Sequence, residues 1–562
     1  MYLNSTVSSK NLTEIMNNYL VSISTCFVAV LAGCGNPSAE QPTAEMVPPV
    51  IAPFENLDTL AVNDWWNRAE TAIIDLKVDR NKVLAFGMYT VSNNTLKLTA
   101  QLYPLYPDET REVRLEVKKD NKWQEIQKQE VNDLGWSALF RVENWDTGQD
   151  IPYRLRHGQD ASFEGLIRKD PVNQQEIVVA AFSCNSNKDR GMRESYVRNV
   201  NHHNPDLLFF AGDQSYDHTE HTAAWLKFGL QFRETFRTRP CISIPDDHDI
   251  GQGNLWGENG KKSESKVADD GGYKYHAEYV KMVERCQTAH LPDPFDPTRI
   301  EQGIGVYYTN LIVGGVDFAI LEDRKFKSGP NGKIPQQGPR PDHIRNPEYD
   351  PASIDLEGLT LLGDRQLIFL NDWAEQQDGI AMKAVLSQTG FCGGAHLHGN
   401  KENRLHADLD SNGWPQTGRK KALQAILKAN AVHIAGDQHL ATVIHHGIDK
   451  YGDGPWAFVV PAIVNDYYSR WWWPEDEQPG GNHDSKNELP WTGDYLDGFN
   501  NKITMLAYVN PESPSSGSGY GLVRFNKPEK TVIFECWPRD ADVSSPQAQQ
   551  FTGWPVTVTI DN

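Results

Sequence analysis

The sequence has little positive charge for its length. It carries 54 lysine and arginine residues against 75 aspartate and glutamate residues, which gives a net charge of -21 over 562 residues. A nucleic-acid-binding surface needs a basic face to neutralise phosphates, so we expect no such surface here. An anionic ligand would have to be held locally, by metal cations or by individual arginines, against the field of the whole protein. The hydrophobic content of 39% is ordinary for a globular protein, and the length allows two or three domains.

Long apolar runs are missing from the amino-terminal region. The apolar stretch over residues 19–32 is too short to span a bilayer, and no twin-arginine pair precedes it. It ends in L-A-G-C at Cys34, and a stretch rich in glycine, proline, serine and alanine follows over residues 35–49. This arrangement resembles a bacterial lipoprotein signal. We therefore expect lipidation at Cys34, export to the periplasm or cell surface, and a membrane anchor at this end. The alternatives are a chance cysteine after an ordinary signal, or a buried strand.

Cysteine is scarce, with seven residues in the whole chain. If Cys26 is removed with the signal and Cys34 is lipidated, an odd number remains. One or two disulfides among the last four cysteines would suit an oxidising compartment and leave Cys184 unpaired. The sequence does not specify which of them pair.

Two kinds of hydrophobic pattern divide the rest of the chain. The first consists of short segments that alternate apolar and polar residues between turn signals, which predicts a small antiparallel β-sandwich. The second consists of buried strands separated by helices, which predicts an α/β domain. We find no internal repeat. The predicted organisation is a signal segment at 1–34, a linker at 35–53, the sandwich at 54–172, the α/β domain at 173–505 and a β-tail packed on that domain at 506–562.

Four of the buried strands in the α/β domain end in residues that can bind metals. In an α/β sheet, functional groups lie beyond the carboxyl ends of the strands, because helices cover both faces. A single Gly-Asp after a strand is usually a turn, whereas four such strand ends are hard to explain in that way. If the four ends converge, they form one polynuclear metal site. They are V-V-A-A-F-S-C-N ending near Cys184, F-F-A-G-D-Q-S-Y-D at Phe209–Asp217, C-I-S-I-P-D-D-H-D ending near His248, and A-V-H-I-A-G-D-Q-H ending at His439.

The residue types at these strand ends predict a site for two unlike metals. A carboxylate can bridge two cations, which then clamp both ends of an in-line phosphoryl displacement, and Asp213 is the natural bridge. Thiolate, phenolate and imidazole donors favour a transition metal such as ferric iron, and these are Cys184, Tyr216 and His439. Hard oxygen donors favour calcium, magnesium or manganese. The hard donors are Asp247 and Asp437.

Together these motifs resemble the alkaline phosphatase D (PhoD-like) family within the calcineurin-like metallophosphoesterases. That family has a cysteine in place of the usual Asp-x-His pair, and Cys184 in F-S-C-N matches it. The sequence departs from the family at Asp217, where glutamate is usual, and at Glu322, where the motif has aspartate. The other matches are Gly212–Asp217 to G-D-x-x-Y-E, Asp246–Asp249 to D-D-H-E, Glu322–Arg324 to D-T-R, Asp410–Pro415 to D-G-Y-P and Gly436–His439 to G-D-x-H.

The resemblance implies a fold, a reaction and cofactors. The fold is α/β, with a metallophosphoesterase-type β-sandwich core flanked by helices and preceded by a small antiparallel β-sandwich. The reaction is hydrolysis of phosphomonoesters, phosphodiesters or both. The cofactors are one ferric iron (Fe3+) and one or more calcium ions (Ca2+) in a dinuclear or trinuclear site, with Mn2+, Mg2+ and Zn2+ as alternatives. The expected nucleophile is metal-bound hydroxide, since binding to a cation lowers the pKa of water toward neutrality, or an oxo bridge between the metals.

Further residues have hypothetical roles at this site. His248 follows a metal ligand on the same loop, so it is placed to hydrogen-bond the transition state or to protonate the leaving oxygen. Arg324 and Arg190 are candidates for clamping phosphate oxygens, and a surface ion pair is the alternative for Arg190. Asp217 and Asn254 are further candidates on the calcium side.

Two other interpretations of the same residues stay open. The metals would be structural in a non-catalytic surface lipoprotein, which predicts full coordination with no open position for water or phosphate. Alternatively, the same fold would hydrolyse another ester, such as a sulfate ester.

Overall fold

The computed structural model of the chain describes residues 73–560, except residues 219, 347, 397–404, 466–469, 475–480, 484–487 and 514–515. Cys34, with the predicted signal segment and linker, lies outside the described residues, so lipidation and export stay predictions. No helix within the described ranges is long and apolar enough to cross a membrane. The five cysteines in those ranges are all buried, free thiols, so the expectation of one or two disulfides among them is not met.

Seven antiparallel strands form the small β-sandwich that the sequence predicts. They are β1 Leu84–Ser92, β2 Thr95–Leu102, β3 Glu112–Lys119, β4 Lys122–Glu130, β5 Ser137–Val142, β6 Ile151–His157 and β7 Ala161–Ile167. One sheet has the order β1-β2-β5 and the other β4-β3-β6-β7. The chain reverses between β1 and β2 at Asn93 and Asn94, whose φ angles of 49° and 55° suit asparagine in a two-residue hairpin. Alternate side chains such as Leu96, Leu98 and Leu115 are fully buried in a common core.

The α/β region that follows begins with strands and helices in alternation and ends with strands alone. Its strands are β8 Glu176–Asn185, β9 Leu207–Phe210, β10 Cys241–Ser243, β11 Thr309–Val313, β12 Val316–Ile320, β13 His343–Ile344, β14 Met382–Thr389, β15 Ala407–Asp408, β16 Ala431–Gly436, β17 Thr442–His446, β18 Trp456–Val459, β19 Ala462–Val464, β20 Gly481–His483, β21 Trp491–Leu496, β22 Lys502–Tyr508, β23 Gly519–Asn526, β24 Thr531–Pro538 and β25 Val556–Thr559. Its helices are α1 Glu194–His203, α2 His221–Phe236, α3 Asp247–Ile250, α4 Ala277–Thr288, α5 Gly363–Glu375 and α6 Gln416–Lys428.

Two large sheets make up the core of this region. The first has the order β10-β9-β8-β23-β24-β25, with β19 also paired to β8, and β8, β9 and β10 run parallel. The second has the order β11-β12-β14-β16-β18-β17-β22-β21-β20, and β12, β14, β16 and β18 run parallel. The carboxyl ends of neighbouring parallel strands meet at one edge of each sheet, which is where the polar strand ends lie.

Strand β8 shows how the two sheets pack face to face. Ile177 and Val179 belong to a buried cluster that also contains Phe318 of the second sheet. The alternate residues Val178 and Phe182 belong to the cluster on the opposite face of the first sheet. Both faces of the strand are therefore buried, which explains why its sequence is a continuous apolar run. Each such side chain contributes about 1.5–3 kcal/mol by its removal from water.

Helix α2 covers the outer face of the first sheet. Its side chains Phe228, Phe232 and Phe236 are four residues apart and so lie on one side of the helix. Their rings contact the Phe210 ring of β9, with ring centroids 5.1, 5.0 and 5.6 Å apart. The helix thereby shields the strand whose end carries the polar loop.

The carboxyl-terminal segment supplies strands to both sheets. β23 pairs antiparallel with β8, for example Val523 with Val179, and β24 and β25 extend the sheet from there. β22 contains the predicted boundary between residues 505 and 506. This strand pairs with β17 of the second sheet. Two packed sheets flanked by helices and preceded by a small sandwich agree with the predicted fold class.

The contact between α2 and β1 provides a test of this packing. Gly229 lies in α2, and a Cβ atom there would overlap the ring of Phe86, which is 1% exposed. In an isolated helix, alanine is favoured over glycine by about 1 kcal/mol. Here we expect Gly229→Ala to lower the free energy of unfolding by about 1–3 kcal/mol, because the ring has to move within a filled core. Chemical denaturation measures the change.

The double variant Gly229→Ala/Phe86→Leu serves as the control. The smaller side chain at position 86 makes room for the new methyl group, so the double variant should be destabilised by less than the sum of the two single changes. A Gly229→Ala variant as stable as the wild type would contradict the packing.

Candidate metal centre

The carboxyl ends of strands from both sheets meet at one cavity. The amide of Cys184 donates to the carbonyl of Gly212 at 3.1 Å, which joins the ends of β8 and β9. The amide of Asp437 donates to Ser183 Oγ at 2.9 Å, which joins the two sheets. The structure thus brings together most of the residues that the sequence selects. Those lining the cavity or adjoining it are Cys184, Asp213, Tyr216, Asp247, His248, Asn254, Asp437 and His439.

Four of these residues have a left-handed backbone conformation. An L-residue pays a steric penalty of about 1–2 kcal/mol there, so the conformation persists only where the surroundings enforce it. At each position it turns the chain sharply at the end of a strand. The residues and their φ angles are Cys184 at 56°, Asp213 at 57°, Asp437 at 69° and His439 at 52°.

One group of potential ligands combines sulfur, oxygen and nitrogen. Ligand atoms of Cys184, Asp213 and His439 all lie within 4.8 Å of one another, and all three residues are buried. The hydroxyl of Tyr216 donates to Asp213 Oδ2 at 2.7 Å and lies 2.8 Å from His439 Nε2. These are the three residues that the sequence predicts as ligands of a transition metal, together with Asp213, the predicted bridge.

Two further groups consist mainly of carboxylates. Asp213, Asp247 and His248 form one, and Asp246, Asp247 and Asp437 form the other, again with ligand atoms within 4.8 Å. Asp213 therefore belongs both to the sulfur-containing group and to a carboxylate group. This shared position is the one that a bridging carboxylate requires.

Burial and mutual repulsion govern the charges in the cavity. Burial, together with neighbouring carboxylates, raises the pKa of Asp213 well above its usual value. Burial raises the pKa of Asp437 to about 6, although Arg324 opposes the shift. Burial also raises the pKa of the Cys184 thiol and of the Tyr216 phenol. A cation reverses all of these shifts because it favours the charged form of each donor. The donor set therefore fits metal ions.

Arg324 is 1% exposed and contacts three carboxylates. Its Nε donates to Asp246 Oδ1 at 2.7 Å and its Nη1 to Asp410 Oδ1 at 2.5 Å. Its Nη2 lies 2.9 Å from Asp437 Oδ1. All three nitrogens of the guanidinium are engaged in this way. The geometry therefore favours a role in holding carboxylates over the predicted clamp on a phosphate oxygen.

The other predicted residues lie at the margin of the centre. Arg190 and Asp217 form two hydrogen bonds of 2.6 Å, and they line a different cavity from the ligand groups. This contact is the ion pair that the sequence predicts as the alternative for Arg190. The Asp217 carboxylate binds this arginine and lies outside the ligand groups. Asn254 lines the cavity that contains the ligand groups. Its side-chain Nδ2 donates a hydrogen bond to Asp342 Oδ2 at 2.7 Å.

Asp249 has a positioning function that the sequence interpretation missed. Its carboxylate accepts hydrogen bonds from the amides of Asp213 at 2.8 Å, Asp246 at 2.9 Å and Gln214 at 3.0 Å. It thereby joins the loop after β9 to the loop after β10. The residue is the last of the motif D-D-H-D, so the motif marks it, but its contacts cannot be read from the motif.

Two more missed features line or adjoin the same cavity. Arg470 and Arg340 both line it. Asp342, His343 and Asp408 form a further group of potential ligands on and next to β13 and β15. Arg340 Nη2 lies 2.8 Å from Asp342 Oδ2, and Arg470 Nη1 lies 3.8 Å from Asp408 Oδ2. Because two guanidiniums accompany this group, it suits a cation less well than the groups around Asp213. No motif in the sequence marks Arg470.

The fold and the placement of the ligands can now be compared with known proteins. No protein-family model matches the sequence, and no curated protein matches it significantly. Two solved structures of phosphatases have a similar fold. The structure of PhoD matches with a TM-score of 0.59 and 15% sequence identity, covering 86% of this chain and 92% of that chain. Purple acid phosphatase PPD1 from seeds of yellow lupin (Lupinus luteus) matches with a TM-score of 0.51 and 12% identity, covering 84% of this chain and 73% of that chain.

At identities this low, structural similarity establishes the fold alone. The predicted resemblance to the PhoD-like phosphatases is confirmed at that level. The predicted roles of individual residues stay predictions, and they depend on the geometry described above.

The sulfur ligand gives a direct test of the centre. We expect Cys184→Ser to lose bound transition metal, with an affinity reduced at least about 10-fold, because a serine hydroxyl is a much poorer donor to such metals than a thiolate. Elemental analysis of the purified protein measures the metal bound per chain.

Cys286→Ser is the matched control for this change. Cys286 is equally buried but lies in α4, with Sγ 3.6 Å from the carbonyl of Gly135, where a hydroxyl can be accommodated. It should keep the wild-type metal content. An unchanged transition-metal content in Cys184→Ser would remove this residue from the centre.

Proposed function

We propose that this protein is a metal-dependent hydrolase of phosphoric esters. The observation that carries the proposal is the shared position of Asp213, because a carboxylate common to two ligand groups would hold two cations at one phosphoryl group. The fold supports it as well, since it resembles that of PhoD and of an enzyme described as a purple acid phosphatase. The net charge of -21 makes local cations necessary for binding an anionic ester.

The chain offers two chemically different positions for cations. Cys184, Tyr216 and His439, with Asp213, would hold the first, which we propose to be ferric iron. Asp213, Asp247 and Asp437 would hold the second, which we propose to be calcium, with manganese, magnesium or zinc as alternatives. Asn254 stays a candidate for the second position because it lines the cavity. When bound, the cations supply Lewis-acid activation of the phosphoryl group and of the attacking water.

His248 is placed to act on the substrate. It belongs to α3, and its amide donates to Asp213 Oδ1 at 3.2 Å, so its backbone is fixed against the shared carboxylate. Its ring lines the cavity and contacts the Tyr216 ring, with centroids 4.0 Å apart and the ring planes tilted by 32°. Burial, aided by the neighbouring His218, lowers the pKa of His248 to about 3. A neutral imidazole has one N–H donor, which we infer is offered to the leaving oxygen in the transition state.

Arg470 is the arginine that we propose for anchoring a phosphate oxygen, in place of Arg324 and Arg190. Its side chain is 12% exposed and lines the cavity together with His248 and His439. Arg324, in contrast, is 1% exposed and does not line this cavity. A guanidinium in this position matches the geometry of phosphate oxygens.

The proposed location rests on the amino-terminal sequence alone. Residues 19–34 support export to the periplasm or cell surface and a lipid anchor at Cys34. The phosphoester substrate would then be a small molecule or a polymer outside the cytoplasm.

The first test concerns the shared carboxylate. We expect Asp213→Asn to lower kcat/KM on p-nitrophenyl phosphate or bis(p-nitrophenyl) phosphate by more than about 100-fold, because an amide cannot bridge two cations through two charged oxygens. A chelator should have a similar effect on the wild type. Steady-state kinetics on metal-analysed protein provides the measurement.

Asp317→Asn is the matched control for Asp213→Asn. Asp317 is also buried but lies near the amino end of β12, where its Oδ1 accepts a hydrogen bond from Asn310 at 2.9 Å. It should keep wild-type activity. Wild-type protein that binds metal yet hydrolyses neither ester would overturn the proposed function, and would favour a structural metal or another ester.

The second test concerns Arg470. We expect Arg470→Ala to raise KM for the phosphoester about 10-fold and to weaken inhibition by inorganic phosphate equally, because a charge-assisted hydrogen bond of roughly 1.5–3 kcal/mol is lost. Arg299→Ala, which changes an exposed arginine outside the cavity lining, should leave both constants unchanged. The proposal for Arg470 fails if KM and phosphate inhibition match those of the wild type.

A further inference from the structure

A second histidine, His218, contacts His248, the histidine that lines the cavity with the ligand groups. His218 Nε2 is 2.7 Å from His248 Nδ1, and the two rings are 4.9 Å apart at their centroids. His218 belongs to the loop after β9, whereas His248 belongs to α3 after β10. The hydrogen bond therefore links the loop after β9 to helix α3 at the candidate metal centre.

The loop that carries His218 is itself held in place. Asp217, the preceding residue, forms two hydrogen bonds of 2.6 Å with Arg190. The side-chain Nδ2 of Asn187 also donates to Asp217 Oδ1 at 2.9 Å. These contacts give the Arg190–Asp217 pair a structural purpose outside the metal centre, because they fix the backbone next to His218.

The hydrogen bond between the rings restricts where the protons sit. One ring nitrogen must donate and the other must accept. If His218 Nε2 donates, His248 Nδ1 is the acceptor, and the single proton of a neutral His248 lies on Nε2. Nε2 is the ring nitrogen of His248 that His218 does not hold, and His248 lines the cavity. Only this direction gives His248 a donor for a substrate oxygen.

We propose that His218 is a positioning residue that fixes the ring orientation and tautomer of His248, so that His248 Nε2–H points to the leaving oxygen of the phosphoester. The inference rests on the proposed function. In the reaction, the bond from phosphorus to the leaving oxygen breaks and its electron pair stays on that oxygen, while the oxygen of the attacking water bonds to phosphorus. The water loses a proton to solvent, from which the departed phenolate is protonated. Negative charge develops on the leaving oxygen, and the hydrogen bond from His248 stabilises it.

This role has a consequence that depends on the leaving group. A leaving oxygen that carries more negative charge, as in an ester of a weakly acidic phenol, needs the hydrogen bond most. A good leaving group such as p-nitrophenolate needs it least. Loss of His218 should therefore affect esters of poor leaving groups selectively, whereas loss of metal or of folding should affect all esters to the same extent.

The experiment measures kcat and KM of the full-length, metal-loaded protein on a series of substituted phenyl phosphates, from p-nitrophenyl to p-methoxyphenyl, or on the corresponding diesters. We expect His218→Ala to lower kcat on the poorest leaving group about 10-fold more than on p-nitrophenyl, within the range of proton-donor effects. His218→Gln should recover at least part of this difference, because its side-chain amide offers a donor near the position of Nε2.

His202→Ala is the control, because His202 is an exposed histidine of α1. It should match the wild type on every ester. A wild type inactive on the whole series would overturn the proposed function itself. An active wild type with a His218→Ala variant that shows no loss, or the same fractional loss on every ester, would overturn only the role of His218. Metal analysis of each variant accompanies the kinetics, and uniform loss with lost metal also counts against the positioning role.

Discussion

A single buried guanidinium holds the candidate centre together. Arg324 follows β12, and its three carboxylate partners, Asp246, Asp410 and Asp437, come from three other segments of the chain. Burying several carboxylates together is unfavourable unless a cation compensates them. Arg324 supplies one fixed charge for this purpose, and metal ions would supply the others. The positions of the loops after β10 and β16, and hence of the ligands they carry, depend on this contact.

Much of the fold could be predicted from the sequence because its signals are local. The apolar run before Cys184 results from a strand that is buried on both faces. The alternation of apolar and polar residues in the small sandwich results from strands that are buried on one face. The strand ends could be found in the same way, since a buried run that breaks into Gly-Asp is visible without a structure. Their convergence within one sheet follows from the rule that neighbouring parallel strands end at the same edge, but that rule does not bring together the ends of β8 and β16, which lie in different sheets.

The roles of individual side chains could not be predicted in this way. A motif such as E-D-R shows that Arg324 is present, but which atoms it faces depends on three segments that are remote in sequence. His218 stands one residue after a motif, and its partner lies on another loop. The cysteines show the same limit, because the predicted oxidising compartment suggested one or two disulfides, whereas the five described cysteines are buried free thiols.

The pairing of β23 with β8 also affects how the centre comes into being. Cys184 lies at the end of a strand whose neighbour is formed by residues 519–526, near the other end of the chain. Contacts between such distant segments form slowly, because closing the long loop between them costs conformational entropy. During synthesis, the sheet that carries Cys184 and Asp213 stays incomplete until residues 519–526 have emerged. The ligand groups on β8 and β9 therefore gain their complete supporting sheet only after a segment more than 300 residues further along the chain has been made.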